Sequence, residues 1–293
     1  MTRGLPRHRT IRAPTASADP VLAAYRDGSY AEEHPQRCHS LPVLRDFLGT
    51  PFRTRGCRAP FLTNDPGTPG NGNWETNVAA MQTTLPGISS WQLPQLDVNY
   101  GLGERIQLTG EIPYVVVNAS DQSRASGWGN ANPGVKWRFF DQGEDGWQIS
   151  TFPMYQTGVS AEAQSKGIGV AGPRFFLPLQ FAHKVGSLSV NFEAGTYIPV
   201  HGDHEQILGL VVGHQLTSRL ELDGELYYDH VRGETEVTTF DVGGRYHLSR
   251  GFNLLFMAGR SLGGNSPGQV EFMGYLGIQI LLSNYGRTLS EEP

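Results

Sequence analysis

The sequence is poor in charged residues, in lysine and in cysteine. Charged side chains make up 17% of its 293 residues, against roughly 25% in an average soluble domain. Lysine occurs only at positions 136, 166 and 184. The two cysteines, Cys38 and Cys57, both lie near the start, so a disulfide between them is possible and the long remainder has none.

Long apolar runs are also missing. No stretch approaches the roughly 18 consecutive apolar residues that a transmembrane helix needs. This absence excludes helical membrane spans. It does not exclude a membrane β-barrel, because only every second residue of a barrel strand is apolar.

The first 58 residues differ in composition from the rest. They contain ten arginines against five acidic residues, a balance of +5, so the other residues carry −10 to give the net charge of −5. The basic start and an Ala-Ser-Ala sequence resemble a signal peptide, but the apolar stretch of about 7–15 residues between them is missing. We interpret residues 1–58 as an Arg- and Pro-rich leader that is disordered or follows from a wrongly assigned start.

From Trp74 onward, polar and apolar residues alternate with the period of two that predicts β-strands. The clearest stretch is LELDGELYYD (220–229), with leucines on one face and acidic side chains on the other. Turn-forming stretches such as GLGER, KVGS and LSRG separate these runs. The predicted strands are 74–84, 92–101, 104–116, 133–141, 146–156, 170–184, 186–199, 205–216, 218–230, 237–248, 251–261 and 270–282.

Strand length and strand number favour a membrane barrel over a soluble fold. Most predicted strands exceed the usual length of about five or six residues, their number is even, and short turns alternate with longer loops. Aromatic residues lie toward the strand ends, where interface girdles occur: Trp74, Trp91, Tyr100, Tyr114, Trp137, Trp147, Tyr155, Tyr197, Tyr228 and Tyr246. The alternative is a soluble β-sandwich or lipocalin-like barrel, which would place the apolar faces inward.

Residues 58–116 resemble the start of a bacterial outer-membrane family. The stretches that carry the resemblance are RAPFLTNDPGTPGNGNWE (58–75) and LPQLDVNYGLGERIQLTGEIPYVV (93–116). The family consists of transporters grouped with proteins of the meta-pathway of phenol degradation. The motif residues are Pro60, Phe61, Asp65, Pro66, Trp74, Glu75, Asp97, Asn99, Tyr100, Gly101, Glu104 and Arg105.

Together, the strand pattern and the resemblance predict an all-β fold, an antiparallel up-and-down transmembrane barrel of about 12 strands. The barrel would span residues 59–282, with a polar tail at 283–293. The resemblance implies the bacterial outer membrane as location, the lipid bilayer, a small-molecule solute and the barrel assembly machinery as partners, and no cofactor. Two features depart from the family: the expected signal peptide is not recognisable, and the chain continues after IQILL as SNYGRTLSEEP rather than ending on an aromatic residue.

The stretch NDPGTPGNGN (64–73) directly precedes the first predicted strand. Its prolines lack an N–H donor and fix φ, so the stretch is a poor candidate for a strand inside a sheet. Its glycines permit tight turns. We expect the stretch to tuck across or into the barrel mouth and to lead into strand one at Trp74, which would lie at the membrane interface.

Twelve polar side chains fall on the predicted lumen face, as do Asp229 and His247. They are Asp97, Asn99, Gln107, Glu111, Lys136, Arg138, Glu193, Glu221, Asp223, Glu225, Asp241 and Arg245. One interpretation is the polar lining of an open pore, which sets its selectivity. The other is an internal salt-bridge network that fills a narrow barrel.

Catalytic and metal chemistry have little support in the sequence. His247 and Ser249 share a strand face, as in outer-membrane phospholipases, but no third residue that would orient the histidine is evident. His201 and His204 lie beside acidic residues without further metal ligands. The N-terminal arginines lack the interleaved aromatic residues of a nucleic-acid surface.

The sequence therefore predicts an outer-membrane channel or transporter for small molecules, aromatic or other apolar ones among them, and no enzyme, metal or cofactor. The alternatives are a closed structural barrel without transport and a lipid hydrolase that uses His247 and Ser249. Loops such as 117–132 and 157–169 are candidates for closing the pore.

Overall fold

A computed structural model describes residues 60–120, 123–143, 145–231, 236–249, 251–263 and 269–283. The predicted leader and all but the first residue of the predicted tail lie outside these ranges. The described strands are β1 (Trp74–Leu85), β2 (Ile88–Leu102), β3 (Ile106–Ala119), β4 (Arg124–Trp128), β5 (Asn132–Asp141), β6 (Gln148–Thr151), β7 (Met154–Gln156), β8 (Arg174–Val185), β9 (Leu188–Pro199), β10 (Glu205–Gln215), β11 (Leu220–Val231), β12 (Glu236–Ser249), β13 (Phe252–Ser261) and β14 (Phe272–Ile280).

The strands form one closed antiparallel sheet. Neighbours in sequence pair with each other, and β1 pairs with β14, from Thr76 opposite Ile280 to Thr84 opposite Phe272. Strands β4 and β5 both pair with β3, so together they form one interrupted wall strand. Strands β6 and β7 both pair with β5 and with β8, so they form a second interrupted wall strand. The barrel therefore has twelve wall strands, which confirms the predicted fold class.

The prediction of one loop is wrong. Residues 117–132 were expected to form a long connection, but β3 continues to Ala119 and β4 occupies much of the remainder. Strand β4 pairs with β3, and the cross-strand pair Tyr114 and Trp128 makes an edge-to-face contact with ring centroids 5.3 Å apart. Such aromatic pairs stabilise a sheet. Here the pair outweighs the tendency of the neighbouring Ser and Gly residues to form turns.

The two ends of the barrel differ in their connections. At one end, here called the turn end, strands are joined through residues 103–105, 142–147, 186–187, 216–219 and 250–251. The opposite end, the loop end, carries the longer connections 157–173 and 262–271. The short turns use positive φ angles, 72° at Gly103 and 64° at Gly186, which glycine adopts without strain.

The connection 157–173 contains a short helix, α1 (Ala161–Ser165), capped by the side chain of Ser160. Lys166 forms an exposed ion pair with Glu162 at 2.6 Å, and this hydrogen bond and charge lower the pKa of the Glu162 carboxyl. No helix in the described ranges is long and apolar enough to cross a membrane.

The outer surface of the barrel is apolar, with aromatic residues toward both ends. Large apolar side chains such as Leu108, Leu210 and Leu226 are exposed on it. All five tryptophans are exposed: Trp74, Trp137 and Trp147 toward the turn end, and Trp91 and Trp128 toward the loop end. Such an arrangement matches a lipid-facing band between two girdles.

One predicted girdle residue is misplaced. Tyr197 is only 1% exposed and stacks on Phe176 with centroids 4.3 Å apart. Both side chains face the lumen, because Tyr197 shares the register of Glu193 on β9. Because Tyr197 lies near a strand end, the sequence suggested a place at the membrane interface. The alternation of side chains along β9 shows instead that it faces the lumen.

Candidate functional site

The barrel lumen is lined by polar side chains. Eleven of the twelve predicted lumen residues are buried, and Glu221 is half-buried. They lie on alternate positions of their strands, opposite to the exposed leucines, so they point inward. The structure thus brings these residues together in one interior.

The segment before β1 occupies this interior. Residues 60–73, here called the plug, run from the start of β1 at the turn end into the lumen, and residues 60–66 are all buried. The backbone N–H groups of Leu62 and Thr63 donate to the two carboxylate oxygens of Glu225, at 3.0 and 2.6 Å. The prediction that this segment tucks into the barrel mouth is confirmed.

A second carboxylate holds the next residue of the plug. Asn64 donates its backbone N–H and its side-chain amide to Glu193, at 2.9 and 2.7 Å. The amide of Gln180 also donates to Glu193, at 3.0 Å, and Ser150 donates to Gln180 at 2.6 Å. Side chains of β6, β8 and β9 are thereby tied to the plug through one network.

Lysine supplies the third attachment. The ammonium of Lys136 donates to the backbone carbonyl of Asp65 at 2.7 Å, and the Asp65 carboxylate lies 4.0 Å away. The same ammonium lies 4.9 Å from the ring centre of Phe152. Because Lys136, Glu193 and Glu225 lie near the middle of their strands, the plug is held at mid-lumen.

At the turn end, the plug binds the end of β2 and the β2–β3 connection. Gly72 donates to the carbonyl of Gly101, and Gly101 donates to the carbonyl of Asn73, both at 2.9 Å. Thr68 donates its hydroxyl to the carbonyl of Glu104 at 2.8 Å. The two halves of the sequence motif, 58–75 and 93–116, therefore contact each other as plug and plug-binding turn.

Two glycines fit the plug closely. A Cβ atom on Gly101 would lie 1.8 Å from the carbonyl oxygen of Gly70, and one on Gly209 would lie 2.0 Å from the hydroxyl of Thr63. Both distances are far below contact, so only glycine leaves room for the plug backbone at Gly101. On β10, the glycine at position 209 likewise leaves room for the side chain of Thr63.

The lumen is filled at the level of the plug. Lys136, Gln180 and Glu193 have no solvent exposure. Interior voids of the size of water would expose such side chains, so the plug and the lining leave no such void around these three residues. Polar lining and internal salt-bridge network both stay predictions for these residues, and the structure adds a plug that neither interpretation included.

Further polar networks lie beside the plug. Asp97 accepts hydrogen bonds from Asn77 at 3.1 Å and from Asn99 at 3.0 Å. Glu111 accepts from Gln95 at 3.1 Å and from Asn132 at 3.2 Å. Side-chain amides thus donate to both of these buried carboxylates, as buried charges require.

The loop-end half of the lumen wall is rich in apolar side chains. Buried inward-facing apolar side chains of β13, β14, β1, β2 and β3, here called the apolar patch, lie there, with the buried polar side chains of Thr83, Ser90 and Gln92 among them. Its residues are Met81, Leu85, Ile88, Val115, Val117, Met257, Met273 and Tyr275. Barrel interiors are ordinarily polar, so this patch needs a specific explanation.

Methionines are concentrated on the lumen side. The chain has five methionines, and apart from Met1 all of them are buried and face inward: Met81, Met154, Met257 and Met273. Methionine side chains are flexible and polarisable, which suits contact with apolar partners of varied shape.

The connection 157–173 is held against the wall beside the apolar patch. Asn130 donates to the carbonyl of Val170 and accepts from its N–H, both at 2.8 Å, and donates to the carbonyl of Thr157. Ile168 is 5% exposed and belongs to the same apolar cluster as the patch. This connection is therefore held inward. The other loop that was predicted to close the pore, residues 117–132, belongs mainly to strands of the barrel wall.

The alternative catalytic pair is not assembled. The ring of His247 pairs through Nδ1 with the side chain of Asn253 at 2.7 Å. Ser249 is exposed and lies beyond a register shift between it and His247. His201 and His204 are exposed in the connection after β9, and the described ranges contain no group of three or more His, Cys, Asp or Glu suited to a metal ion.

Sequence reasoning missed two parts of this site. The plug-binding roles of Glu193 and Glu225 had no local signal, since their partners lie more than a hundred residues away in the chain. The apolar patch had one signal, the run Val115–Val117, in which both strand faces are apolar. In an outer-membrane barrel, such a run departs from the expected alternation.

Comparison with known proteins finds similar structures but no similar sequences. The sequence matches no protein-family model, and no curated protein is similar to it in sequence. The structure is similar to that of an outer-membrane channel from Pseudomonas putida F1, with a TM-score of 0.60 and 14% identity over 72% of this chain and 96% of that chain. It is also similar to the NanC porin, with a TM-score of 0.51 and 8% identity over 70% of this chain and 98% of that one. At these identities the likeness establishes the fold.

Proposed function

We propose that the chain is a bacterial outer-membrane channel for small apolar molecules, aromatic ones among them, whose pore opens when the plug moves. The apolar patch carries the choice of solute, because it groups apolar side chains at one side of a lumen whose lining elsewhere mixes polar and apolar residues. The lipid-facing band supports the location, and the similar structures are themselves outer-membrane proteins or porins. The motif at 58–116 supports kinship with the phenol-degradation group.

The geometry also requires a moving part. The patch side chains are themselves buried, so a solute from the loop end reaches them only when the residues that cover them move, and it then meets the plug at mid-lumen. Passage along the barrel axis therefore requires displacement of residues 60–73. Hydrogen bonds and the buried side chains of Phe61 and Leu62 hold the plug in place. Water can replace the hydrogen bonds when the plug leaves, whereas the apolar contacts are lost.

Dye uptake by Gram-negative cells tests this function. N-phenylnaphthylamine is apolar, is held back by an intact outer membrane and fluoresces once it enters lipid. Cells that carry the protein should take up the dye faster than cells with an empty vector. The double variant Met81→Gln, Met273→Gln should lose most of the difference, because glutamine has a similar shape but a polar end.

Leucine provides the matched control. Met81→Leu with Met273→Leu keeps the patch apolar and should keep the uptake, since such swaps are well tolerated. Uptake of arabinose should be the same in both double variants. Equal dye uptake by the glutamine and leucine variants would contradict a role of the patch in selecting apolar solutes.

A closed structural barrel is the second candidate function, and the filled lumen favours it. Planar-bilayer recordings separate the two candidates. A channel with a mobile plug should show discrete opening events, whereas a permanently closed barrel should stay silent under all voltages that the bilayer tolerates.

A further inference from the structure

Three polar side chains lie among the apolar side chains of the patch. Thr83 of β1 is directly opposite Ser90 of β2. Gln92 of β2 has Met81 of β1 on one side and Val115 of β3 on the other. All three side chains point inward, because they alternate with outward-facing neighbours on their strands. These two hydroxyls and one amide, here called the polar trio, therefore share the lumen wall with the methionines.

Buried apolar side chains surround the polar trio. Leu85 and Ile88 form the next inward-facing pair of β1 and β2 toward the loop end. Met273 of β14 is opposite Thr83, and Val117 of β3 is opposite the serine of the trio. All four of these apolar residues are buried. The trio is thus a small group of hydrogen-bonding atoms inside an apolar part of the wall.

Within the described ranges, the side chains of the polar trio make no hydrogen bond. Other buried amides nearby do donate: Gln95 donates to Glu111 and Asn77 donates to Asp97, both at 3.1 Å. A buried hydroxyl or amide that lacks a partner is costly to the folded state. Three such groups side by side therefore need an explanation.

The polar trio borders a narrow space. Thr83, Ser90 and Gln92 keep 6%, 7% and 6% of their surface exposed, whereas Val115 and Met273 beside them keep none. The backbone of the trio is paired in the barrel ladder, so the exposed surface belongs to the inward-pointing side chains. A molecule of the size of water reaches the trio, and a larger solute reaches it when the residues that cover the patch move.

This arrangement has the composition of a site for a small apolar molecule with one polar group. Ligand pockets are mostly lined by apolar side chains, with a few polar groups that fix the orientation of the ligand. A glutamine amide can donate and accept a hydrogen bond, and so can each of the two hydroxyls. The trio can therefore pair with a hydroxyl, a carbonyl or an N–H group, and it carries no charge that would bind an ion.

The same three groups disfavour solutes that have no polar atom. A hydrocarbon that covered the trio would displace water from two hydroxyls and an amide and would offer no hydrogen bond in return. Sites that hydrogen-bond a hydroxyl or an N–H reject analogues that lack it, because the polar groups of the site are then left unpaired. A purely apolar patch would accept both kinds of solute, whereas the trio distinguishes between them.

We propose that the patch binds solutes with an apolar body and one hydroxyl, carbonyl or N–H group, and that Thr83, Ser90 and Gln92 hold this group. The body of the solute lies against Met81 and Met273, whose flexible side chains adapt to different shapes. This inference rests on the proposed function, because it concerns the same apolar solutes. It goes further in naming the polar group that they carry and in placing pure hydrocarbons among the disfavoured solutes.

Two solutes of nearly equal shape test the proposal. Naphthylmethanol and ethylnaphthalene, substituted at the same ring position, differ only in a hydroxyl that replaces a methyl group. Each is added at matched free concentration to cells that carry the protein and take up N-phenylnaphthylamine, which itself has one N–H. The concentration that halves the protein-dependent uptake should be about fivefold lower for the alcohol, roughly the effect of one hydrogen bond.

Gln92→Leu with Ser90→Ala removes two members of the trio and keeps the patch apolar. In this variant the two solutes should compete equally, and ethylnaphthalene should compete better than in the unchanged protein. Gln82→Leu with Ser89→Ala is the matched control. It makes the same two changes on the outer face of the same strands, where the two side chains lie 3.5 Å apart, and it should keep the preference for the alcohol.

A second variant changes the shape of the wall very little. Thr83→Val replaces only a hydroxyl by a methyl group, so it carries little risk to folding. Ethylnaphthalene should then compete about twofold better than in the unchanged protein, because one polar group fewer is left unpaired beneath it.

The outcomes separate this inference from the proposed function. Equal competition by the two solutes in the unchanged protein would overturn the inference and leave the proposed function in place. A full preference for the alcohol in both the Gln92→Leu, Ser90→Ala protein and the Thr83→Val protein would overturn it too, since another part of the lumen would then hold the hydroxyl. Dye uptake no faster than in cells without the protein would overturn the proposed function and this inference together.

Discussion

Asn64 of the plug and Glu193 of β9 are joined by two hydrogen bonds across 129 positions of sequence, both in the buried lumen. The backbone N–H and the side-chain amide of Asn64 each meet one carboxylate oxygen. This fork fixes the position and the orientation of the plug at mid-lumen. The strength of the closed state should therefore depend on the charge of Glu193.

Glu193→Gln should open the channel more often. The change keeps the side-chain shape but replaces a charged acceptor by a neutral amide, which weakens the two bonds by about 1–2 kcal/mol in total. The open fraction in single-channel recordings should rise roughly tenfold. Glu162→Gln, on the exposed helix α1, is the control and should leave the recordings unchanged. An unaltered open fraction in Glu193→Gln would show that other contacts hold the plug.

Gly101→Ala should displace the plug at the turn end. The new Cβ would lie 1.8 Å from the carbonyl oxygen of Gly70, so the plug backbone has to move away. We expect higher conductance than in the unchanged protein, with the same barrel content by circular dichroism. Gly110→Ala is the matched control, because its Cβ would meet no heavy atom within 4 Å. If both variants conduct alike, the close approach of plug and turn does not matter for closure.

The barrel could be predicted from the sequence because its signals are local. Alternation along a stretch such as 220–229 fixes which side chains point inward, and turn residues such as Gly103 and Gly186 mark the strand ends. The interrupted strand was predicted as a single one at 146–156, because the alternation continues through Phe152 and Pro153. The interruption falls at Phe152 and Pro153, and Pro178 of β8 lies opposite Phe152 in the register.

The plug contacts could not be predicted in the same way. Prolines and glycines in 64–73 excluded a strand and favoured a position at the barrel mouth, but they do not indicate which wall residues bind the segment. The contacts with Glu193, Glu225 and Lys136 depend on which strands face each other across the closed barrel. The assignment of Tyr197 to the membrane interface failed for a related reason, since closeness to a strand end was given more weight than alternation.

The open lumen should prefer cations. Eight buried carboxylates of the described wall face four buried cationic side chains, and a confined acidic lumen attracts cations. The acidic residues are Glu75, Asp97, Glu111, Glu193, Asp223, Glu225, Asp229 and Asp241, and the basic ones are Lys136, Arg138, Arg174 and Arg245. Reversal potentials of a variant without residues 1–73 should show this preference.

Neutralising one strand should reduce the preference. Glu221→Gln, Asp223→Asn and Glu225→Gln together remove three charges from β11 in the variant without residues 1–73. The ratio of cation to anion permeability should fall toward one. An unchanged ratio would mean that these carboxylates lie away from the conducting path or are neutralised by basic partners.

Leu226→Arg should destabilise the barrel in lipid. Leu226 lies near the middle of β11 and is 44% exposed on the outer face. Arginine near the bilayer midplane costs about 2–4 kcal/mol, which denaturant unfolding in lipid vesicles can measure. Leu226→Met keeps the surface apolar and should cost less than about 1.5 kcal/mol. Equal stability of the two variants would place this face away from hydrocarbon.

The most direct measurement is the single-channel conductance of a protein whose plug is locked to the wall. Thr63 and Gly209 lie against each other, with the Cβ of Thr63 2.9 Å from the position of a Cβ on Gly209, so cysteines at both positions can form a disulfide once the plug backbone moves away from β10 by roughly 1 Å. In a chain with Cys38 and Cys57 replaced by serine, the oxidised protein should show no openings, and reductant should restore them. Openings of the same size and frequency in the oxidised protein would contradict a channel that opens by movement of the plug.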